Sequence, residues 1–292
     1  MTELRPIEAV LHAPEPHWVG DGFRVAGYFA AYEGLVERLS PFLLLDYHAP
    51  HVYPPTENLR RGVGPHPHRG FETVTLAFEG SVAHHDSAGN GGVIGPGDVQ
   101  WMTAGAGILH REYHEAEFAR RGGRMHMLQL WVNLPKASKL TAPRYQALTA
   151  AQMGRVRLPD DQGEVRVIAG EFQGARGPAR TFTPIRMLDA SVRAGGKVAF
   201  DVPARENALV LVVEGELTLG DTPARTSDLA VFENRGERIE LAARTDVRAL
   251  LLAGEPIDEP VVQYGPFVMN TEGEIRRAIA DFQAGRFGRL DD

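Results

Sequence analysis

The feature that most constrains the fold is a succession of short apolar segments rich in β-branched and aromatic residues. The clearest of them are residues 73–78, 127–132, 208–213, 229–232 and 247–252. Glycine- and proline-containing turns such as Gly95-Pro-Gly-Asp98 lie between them. Many short strands separated by regular turns are typical of sandwiches and barrels, so we predict an all-β fold class.

The C-terminal region is the main exception to this pattern. Thr271 and Glu274 have the spacing of a capping box, and Gly285 is a suitable stop. The apolar residues that follow the cap at helical spacing are Ile275, Ala278, Ile279 and Phe282. We therefore predict a C-terminal α-helix that packs one face on a barrel.

An internal repeat indicates two similar barrels. Glu79-Gly80 corresponds to Glu214-Gly215, and each pair is followed by an aspartate, Asp98 or Asp228, that leads an apolar strand. Residues 133–139 look like a linker between the halves. We therefore predict an N-terminal barrel over residues 1–138 and a C-terminal barrel, with the terminal helix, over residues 139–292.

Histidine is concentrated in the first half of the chain. All 11 histidines lie at or before His126, and the chain has no cysteine. His66 and His68 alternate with Pro65 and Pro67, and residues two apart on an extended chain share a face. The prolines restrict the backbone and have no N–H to donate to a neighbouring strand, so we predict an edge or end strand. On this strand the two imidazoles can point at one ion.

A second pair with the same spacing, His110 and Glu112, completes a candidate metal site. Across a hairpin, the two pairs can face each other inside a barrel. Three neutral imidazoles and one carboxylate suit iron, nickel, copper, manganese or zinc. An octahedral ion would keep two positions open for water, substrate or dioxygen, which is typical of a catalytic site.

Other polar residues leave alternatives open. Glu72 could be the carboxylate ligand, although we favour a role in orienting an imidazole. His84 and His85 are adjacent and point to opposite faces, so at most one could approach the metal. His114 could be a ligand, although we favour a position beyond the end of the strand. We interpret the other histidines as barrel or surface residues: His12, His17, His48, His51 and His126. Barrel-lining apolar residues that would suit a flat aromatic substrate are Phe78, Trp101 and Met102.

The chain resembles the pirin family of the cupin superfamily in long, specific motifs. Residues 65–74 (PHPHRGFETV) carry the resemblance most clearly, and further matching stretches are 42–46, 97–105, 107–110, 128–135 and 265–271. The resemblance implies a bicupin with two stacked jelly-roll β-barrels and one metal in the N-terminal barrel. Carried over residue by residue, its ligands fall on His66, His68, His110 and Glu112. The general cupin pattern takes its glutamate from the Glu72 position, and pirins are similar to this chain in using the Glu112 position instead.

The second half lacks the residues for an equivalent site. Aligning the Glu-Gly pairs places Asp201 and Pro203 where the first half has His66 and His68. Aligning Asp98 with Asp228 places Glu240 and Ala242 at the positions of His110 and Glu112; these replacements leave no imidazole. We therefore expect the C-terminal barrel to be free of metal.

The resemblance also implies a function. Some pirins resemble cupin quercetinases, which open a flavonol ring with dioxygen and release carbon monoxide. The implied cofactor is one divalent transition metal per chain, with iron(II) first and nickel, manganese, copper or zinc as alternatives. The substrate would be a small flavonol-like aromatic, whose 3-hydroxyl would give its proton to Glu112, the catalytic residue.

Two other hypotheses stay open. Some pirins resemble regulatory iron-binding proteins without turnover, which act through protein partners such as transcription regulators or metabolic enzymes. A metal-dependent isomerase or hydrolase is a further cupin chemistry. No motif of this chain names a protein partner.

Charge and composition exclude several classes of partner. The formal net charge of −7 argues against broad binding to a nucleic-acid backbone. The first 20 residues have no apolar h-region, and the longest apolar run, residues 208–213, is too short to span a bilayer. The lack of cysteine fits a reducing compartment. We therefore expect a cytoplasmic protein without direct nucleic-acid or membrane contacts.

Overall fold

The computed structural model describes residues 3–290 and is built mainly of antiparallel strands. The strands up to residue 148 are β1 Ile7–Leu11, β2 His17–Val19, β3 Phe23–Gly27, β4 Phe42–Tyr53, β5 Gly62–His68, β6 Phe71–Glu79, β7 Val82–Asp86, β8 Gly91–Ile94, β9 Val99–Thr103, β10 Ile108–His114, β11 Gly123–Asn133 and β12 Arg144–Leu148. The strands after it are β13 Gly154–Arg157, β14 Gly163–Ala169, β15 Glu171–Phe172, β16 Ala175–Arg176, β17 Ile185–Val192, β18 Lys197–Asp201, β19 Asn207–Glu214, β20 Glu216–Leu219, β21 Thr222–Arg225, β22 Leu229–Phe232, β23 Arg238–Ala243, β24 Val247–Gly254, β25 Val262–Tyr264 and β26 Phe267–Met269. The α-helices are α1 Tyr28–Ala31, α2 Leu35–Arg38, α3 Ala116–Arg121 and α4 Glu272–Gln283, and 3₁₀ turns lie at Lys136–Ser138, Ala150–Gln152 and Pro159–Asp161.

The chain forms two compact units. The N-terminal unit contains residues 14–37, 41–150 and 257–290. Its larger sheet has the strand order β12-β9-β6-β11-β4-β3-β2, and its smaller sheet has the order β5-β10-β7-β8. Side chains of the two sheets meet between them, since Glu112 of β10 accepts hydrogen bonds from Thr75 of β6 and Gln129 of β11.

The C-terminal unit contains residues 3–13, 38–40 and 151–256. Its sheets have the orders β1-β22-β19-β24-β17-β14-β13 and β18-β23-β20-β21. The space between these sheets is filled by a buried apolar core, to which β18 and β23 contribute Val198, Phe200, Ile239 and Leu241.

The two units repeat the same strand arrangement. Each has one seven-stranded and one four-stranded antiparallel sheet, and strands in equivalent positions, such as β6 and β19 or β10 and β23, follow the same order. The all-β prediction and the predicted repeat of a jelly-roll unit are confirmed. The sheets within each unit stay separate, so the units are two-layered jelly rolls and not continuously closed barrels.

The compact units do not follow the predicted boundary between residues 138 and 139. Strand β1 pairs with β22 and so belongs to the C-terminal unit. Conversely, α4 belongs to the N-terminal unit, where Ile275 and Ala278 pack with Phe267 and the partly buried Leu109. Pairing with β22 accounts for the place of β1, and burial of the apolar face of α4 on the first unit accounts for the place of the helix.

The predicted capping box of α4 is confirmed. The Thr271 hydroxyl accepts a hydrogen bond from the backbone N–H of Glu274 at 3.2 Å. The Glu274 carboxylate in turn accepts one from the backbone N–H of Asn270 at 3.1 Å. Residues 3–290 contain no helix that is long and apolar enough to cross a membrane.

A buried lysine ties three segments of the N-terminal unit together. Lys139 is 1% exposed, and its Nζ donates to the backbone carbonyls of Gly70 and Val268 and to Asn133 Oδ1, at 2.9, 3.0 and 2.6 Å. Burial lowers the pKa of Lys139 to about 8. These contacts join the turn after His68 to the end of β11 and to β26.

Replacing Lys139 by methionine removes these donors while keeping most of the volume. Because three buried acceptors lose their partner, we expect K139M to lower the free energy of unfolding by about 2–4 kcal/mol. Denaturant titration measures this loss. K136M, at an exposed lysine of the same segment, is the matched control, and equal effects of the two substitutions would contradict the structural role.

The difference in stability between the wild type and K139M should depend on pH. The pKa of Lys139 is lowered from 10.5 to about 8 in the folded chain, so between these values the unfolded chain holds a proton that the folded chain has lost. Stability from this group therefore rises with pH across that window and is flat below it. The difference in unfolding free energy between wild type and K139M should widen from pH about 8 to about 10. A difference that stays constant or narrows would show that the lysine keeps its proton in the folded chain.

Candidate metal centre

The register between β5 and β10 brings three predicted histidines together. His66 lies opposite His110, and His68 lies opposite Ile108. The ring centroids are 4.2 Å apart for His66 and His110 and 4.8 Å apart for each of the other two pairs. One potential ligand atom of each ring lies within 4.8 Å of the others. As predicted, β5 is an edge strand, and it carries a β-bulge opposite the 110–112 segment.

A second group of potential ligands overlaps the first. In the β10–β7 register Glu112 lies opposite His84, and a potential ligand atom of His84, His110 and Glu112 lies within 4.8 Å of the others. His110 belongs to both groups. The four predicted residues, His66, His68, His110 and Glu112, therefore form one continuous cluster, and His84 is a fifth member.

The nitrogen atoms of this cluster suit a metal ion. His68 Nδ1 and His110 Nε2 are buried, and neither has a hydrogen-bond partner among the described residues. Burial, with a smaller effect of the neighbouring His66, lowers the pKa of both His68 and His110 well below the ordinary value. Neutral imidazoles with unshared lone pairs next to a carboxylate are a donor set that divalent transition metals prefer.

The Glu112 carboxylate is held by side chains of the larger sheet. Gln100 and Thr75 donate to Oε1, the latter at 3.4 Å, and Gln129 donates to Oε2 at 3.0 Å. Gln100 is oriented in turn by Tyr145, whose hydroxyl donates to its Oε1 at 3.5 Å. Burial, followed by the negative charges of Glu112 and Asp86, raises the Tyr145 pKa to about 12, which keeps this hydroxyl protonated.

Solvent reaches the cluster from the side of β5. His66 is half-buried, whereas Gly64 and Pro65 of the neighbouring bulge are exposed. His68, His84, His110 and Glu112 are buried behind it. The arrangement therefore has one accessible imidazole and a buried set of donors.

Glu72 does not have the role that we favoured from the sequence. Its Oε1 accepts a hydrogen bond from the Thr103 hydroxyl at 2.7 Å and lies 3.7 Å from Arg144 Nη2. Burial raises its pKa, although Thr103 and Arg144 act in the opposite direction. Glu72 belongs to neither group of potential ligands, and its described hydrogen bonds and ion pairs involve no histidine. The predicted role of Glu72 in orienting an imidazole is wrong.

The predicted aromatic lining also needs correction. Gln100 points at Glu112, so the adjacent Trp101 points to the opposite face of β9. Phe78 lies three residues after Thr75, on the opposite face of β6, where its ring packs on His126 at 4.7 Å. Met102 shares the face of Gln100 and is buried beside Tyr145.

Three of the remaining histidines have polar partners outside the cluster. His126 Nε2 lies 2.8 Å from the Tyr47 hydroxyl, and His48 Nε2 lies 2.8 Å from the Tyr53 hydroxyl, as expected for barrel histidines. His12 is exposed and pairs with Asp228. We did not predict from the sequence that His84 lies in the cluster. Asp86, two residues later on the same strand face, could have indicated a buried and oriented histidine.

The chain is similar to several known proteins. The family model described as Pirin matches residues 22–132, and the model described as Pirin C-terminal cupin domain matches residues 187–288. A Pseudomonas aeruginosa protein named "Putative quercetin 2,3-dioxygenase" is 52% identical over 94% of this chain and 95% of its own length. Pirin-like protein 2 of Arabidopsis thaliana is 40% identical over 86% of this chain and 76% of its own length. The crystal structure of quercetin 2,3-dioxygenase from Acinetobacter baumannii has a TM-score of 0.94 and 46% identity, covering 99% of this chain and all of that chain.

The cluster predicts that divalent ions stabilise the folded chain. Adding nickel(II) or zinc(II) should raise the melting temperature of the wild type, because an ion that binds only the folded state shifts the unfolding equilibrium. H110A and H68A should lose this shift, while H85A, at the half-exposed neighbour of His84, should keep it. Thermal denaturation with and without the ion measures the effect, and an undiminished shift in H110A would contradict the assignment.

Proposed function

The chain belongs to the pirin family, and from that premise we propose that it is a metal-dependent dioxygenase that opens the ring of a flavonol of the quercetin type. The observation that carries the proposal is the meeting of three imidazoles and one oriented carboxylate beside an accessible edge strand. The names of the Pseudomonas and Acinetobacter relatives supply the substrate class.

The residues that would hold the ion are His66, His68, His110 and Glu112. Iron(II) is the first expectation, and nickel, manganese, copper and zinc also suit this donor set. A divalent ion would supply Lewis-acid stabilisation of the substrate oxygen and a binding position for dioxygen.

Glu112 would act as the base for the substrate. Its two carboxylate oxygens are separately oriented, Oε1 by Gln100 and Thr75 and Oε2 by Gln129. A carboxylate fixed in this way can accept the proton of the flavonol 3-hydroxyl without first reorienting. Loss of that proton makes the flavonol electron-rich and reactive towards dioxygen.

The surroundings would orient a flat substrate. The Trp131 ring lies 5.2 Å from the His68 ring and 4.3 Å from the Phe71 ring. Trp131 is half-buried, and its ring lies beside a member of the cluster. An aromatic substrate that enters beside His66 could stack or pack on its edge against this indole.

The proposal is tested by aerobic incubation of the metal-loaded protein with quercetin. We expect loss of the flavonol absorbance together with release of carbon monoxide. E112Q should be at least about 100-fold slower per bound metal, because a general base contributes about 10²–10⁴ in rate. Metal content is measured for every variant, so that loss of the base is separated from loss of the ion.

Two glutamates provide matched controls. E117Q makes the same change at an exposed position and should keep turnover. E72Q makes it at a buried carboxylate that contacts Thr103, and it should also keep both metal and turnover. Metal-loaded protein that is inert towards quercetin and related flavonols would overturn the proposal and favour a regulatory role through protein partners.

A further inference from the structure

A line of buried polar groups continues from His110 away from the proposed metal. His110 Nδ1 lies 3.3 Å from His84 Nδ1, and His84 Nε2 lies 3.4 Å from Asp86 Oδ2. The side chains of His84 and Asp86 are completely buried. We call these three residues the Asp86–His84–His110 chain.

Asp86 is built as a fixed acceptor at the end of this chain. Its Oδ1 accepts hydrogen bonds from the backbone N–H groups of Ala88 and Asn90, at 2.9 and 3.0 Å, and the Asn90 amide donates to both carboxylate oxygens. Burial alone would raise the Asp86 pKa, but hydrogen bonds from His84 and Asn90 outweigh it and hold that pKa below the ordinary value.

The His84 ring is also held in its plane. Tyr145 stacks on it with a centroid distance of 4.9 Å and an interplanar angle of 11°. The same tyrosine orients Gln100, which donates to Glu112. One side chain therefore supports both the imidazole and the carboxylate parts of the cluster.

Proton counting assigns the tautomers. A carboxylate can only accept, so His84 must carry its proton on Nε2 and present a lone pair at Nδ1. With both rings neutral, two Nδ1 atoms 3.3 Å apart need one proton between them, which must then be on His110. The lone pair of His110 is left at Nε2, the buried atom without a partner among residues 3–290.

We propose that Asp86 and His84 fix His110 as the Nδ1–H tautomer and thereby direct its Nε2 at the metal, which makes His84 a positioning residue. The inference rests on the proposed metal site. Metal-bound imidazoles generally donate their second N–H to an acceptor, and here that acceptor is another imidazole held by a carboxylate. Direct ligation by His84 is the competing arrangement, because its ring also lies near Glu112.

Nitrogen NMR of the full chain distinguishes these arrangements. In metal-free protein, long-range ¹H–¹⁵N correlation spectra should show His110 as the Nδ1–H tautomer and His84 as the Nε2–H tautomer. On zinc binding, a metal-induced ¹⁵N shift should occur at His110 Nε2 and not at His84 Nδ1. A His110 Nε2–H tautomer, or a direct zinc shift at His84, would overturn the proposal.

Metal titration provides an independent arm. H84A should raise the zinc dissociation constant by about 10- to 100-fold, the usual effect of removing a partner of a metal-bound histidine. D86N should have a smaller effect in the same direction, and H84Q, which retains an acceptor oxygen, should recover part of the affinity. H85A, the adjacent half-exposed histidine, should bind as the wild type does.

The two proposals can fail separately. Wild-type affinity in both H84A and D86N would refute the positioning role even if quercetin is consumed. A chain that binds zinc with the expected tautomers but leaves quercetin intact would retain the positioning role and refute the dioxygenase. If H84A does not fold, D86N and the wild-type spectra still decide the question.

Discussion

The candidate site depends on the antiparallel pairing of β5 with β10. This register sets His66 opposite His110, and the bulge in β5 accommodates Pro65, which cannot donate to a neighbouring strand. A shift of one residue would turn the His66 and His68 imidazoles to the other face of the sheet. The positions of His66, His68 and His110 therefore follow from one strand pairing at the edge of the smaller sheet.

The same jelly-roll frame holds two different interiors. In the N-terminal unit, the space between the sheets contains imidazoles, a carboxylate and amides, and each needs a partner because burying an unpaired polar group is costly. The Gln100–Glu112 contact and the Asp86–His84 contact meet part of that need. In the C-terminal unit, Phe200 of the equivalent β18 lies in a purely apolar core that needs no such network.

Strand positions, the terminal helix and the repeat could be predicted from the sequence, because each is encoded in local periodicity and caps. Convergence of His66 and His68 with His110 could also be predicted, since the i, i+2 spacing limits where the side chains point. The partners of Glu112 could not be predicted, because Gln100 and Gln129 lie on other strands. Only the pairing of β9 and β11 with β6 brings these two side chains level with each other. The assignment of Trp101 to the pocket was wrong for a different reason. Hydrophobicity does not tell which face of a strand points inward when both faces are buried.

The exchange of segments between the units has a consequence for synthesis. Residues 257–290 complete the unit that carries the histidine cluster, and Val268 there accepts a hydrogen bond from Lys139. Arg69, the residue after His68, is likewise anchored by Asp281 and lies over the Phe287 ring. A ribosome that has made only the first half of the chain has therefore synthesised every residue of the histidine cluster, but not the residues that close the fold around it. The unit that carries the histidine cluster is therefore the last to be completed.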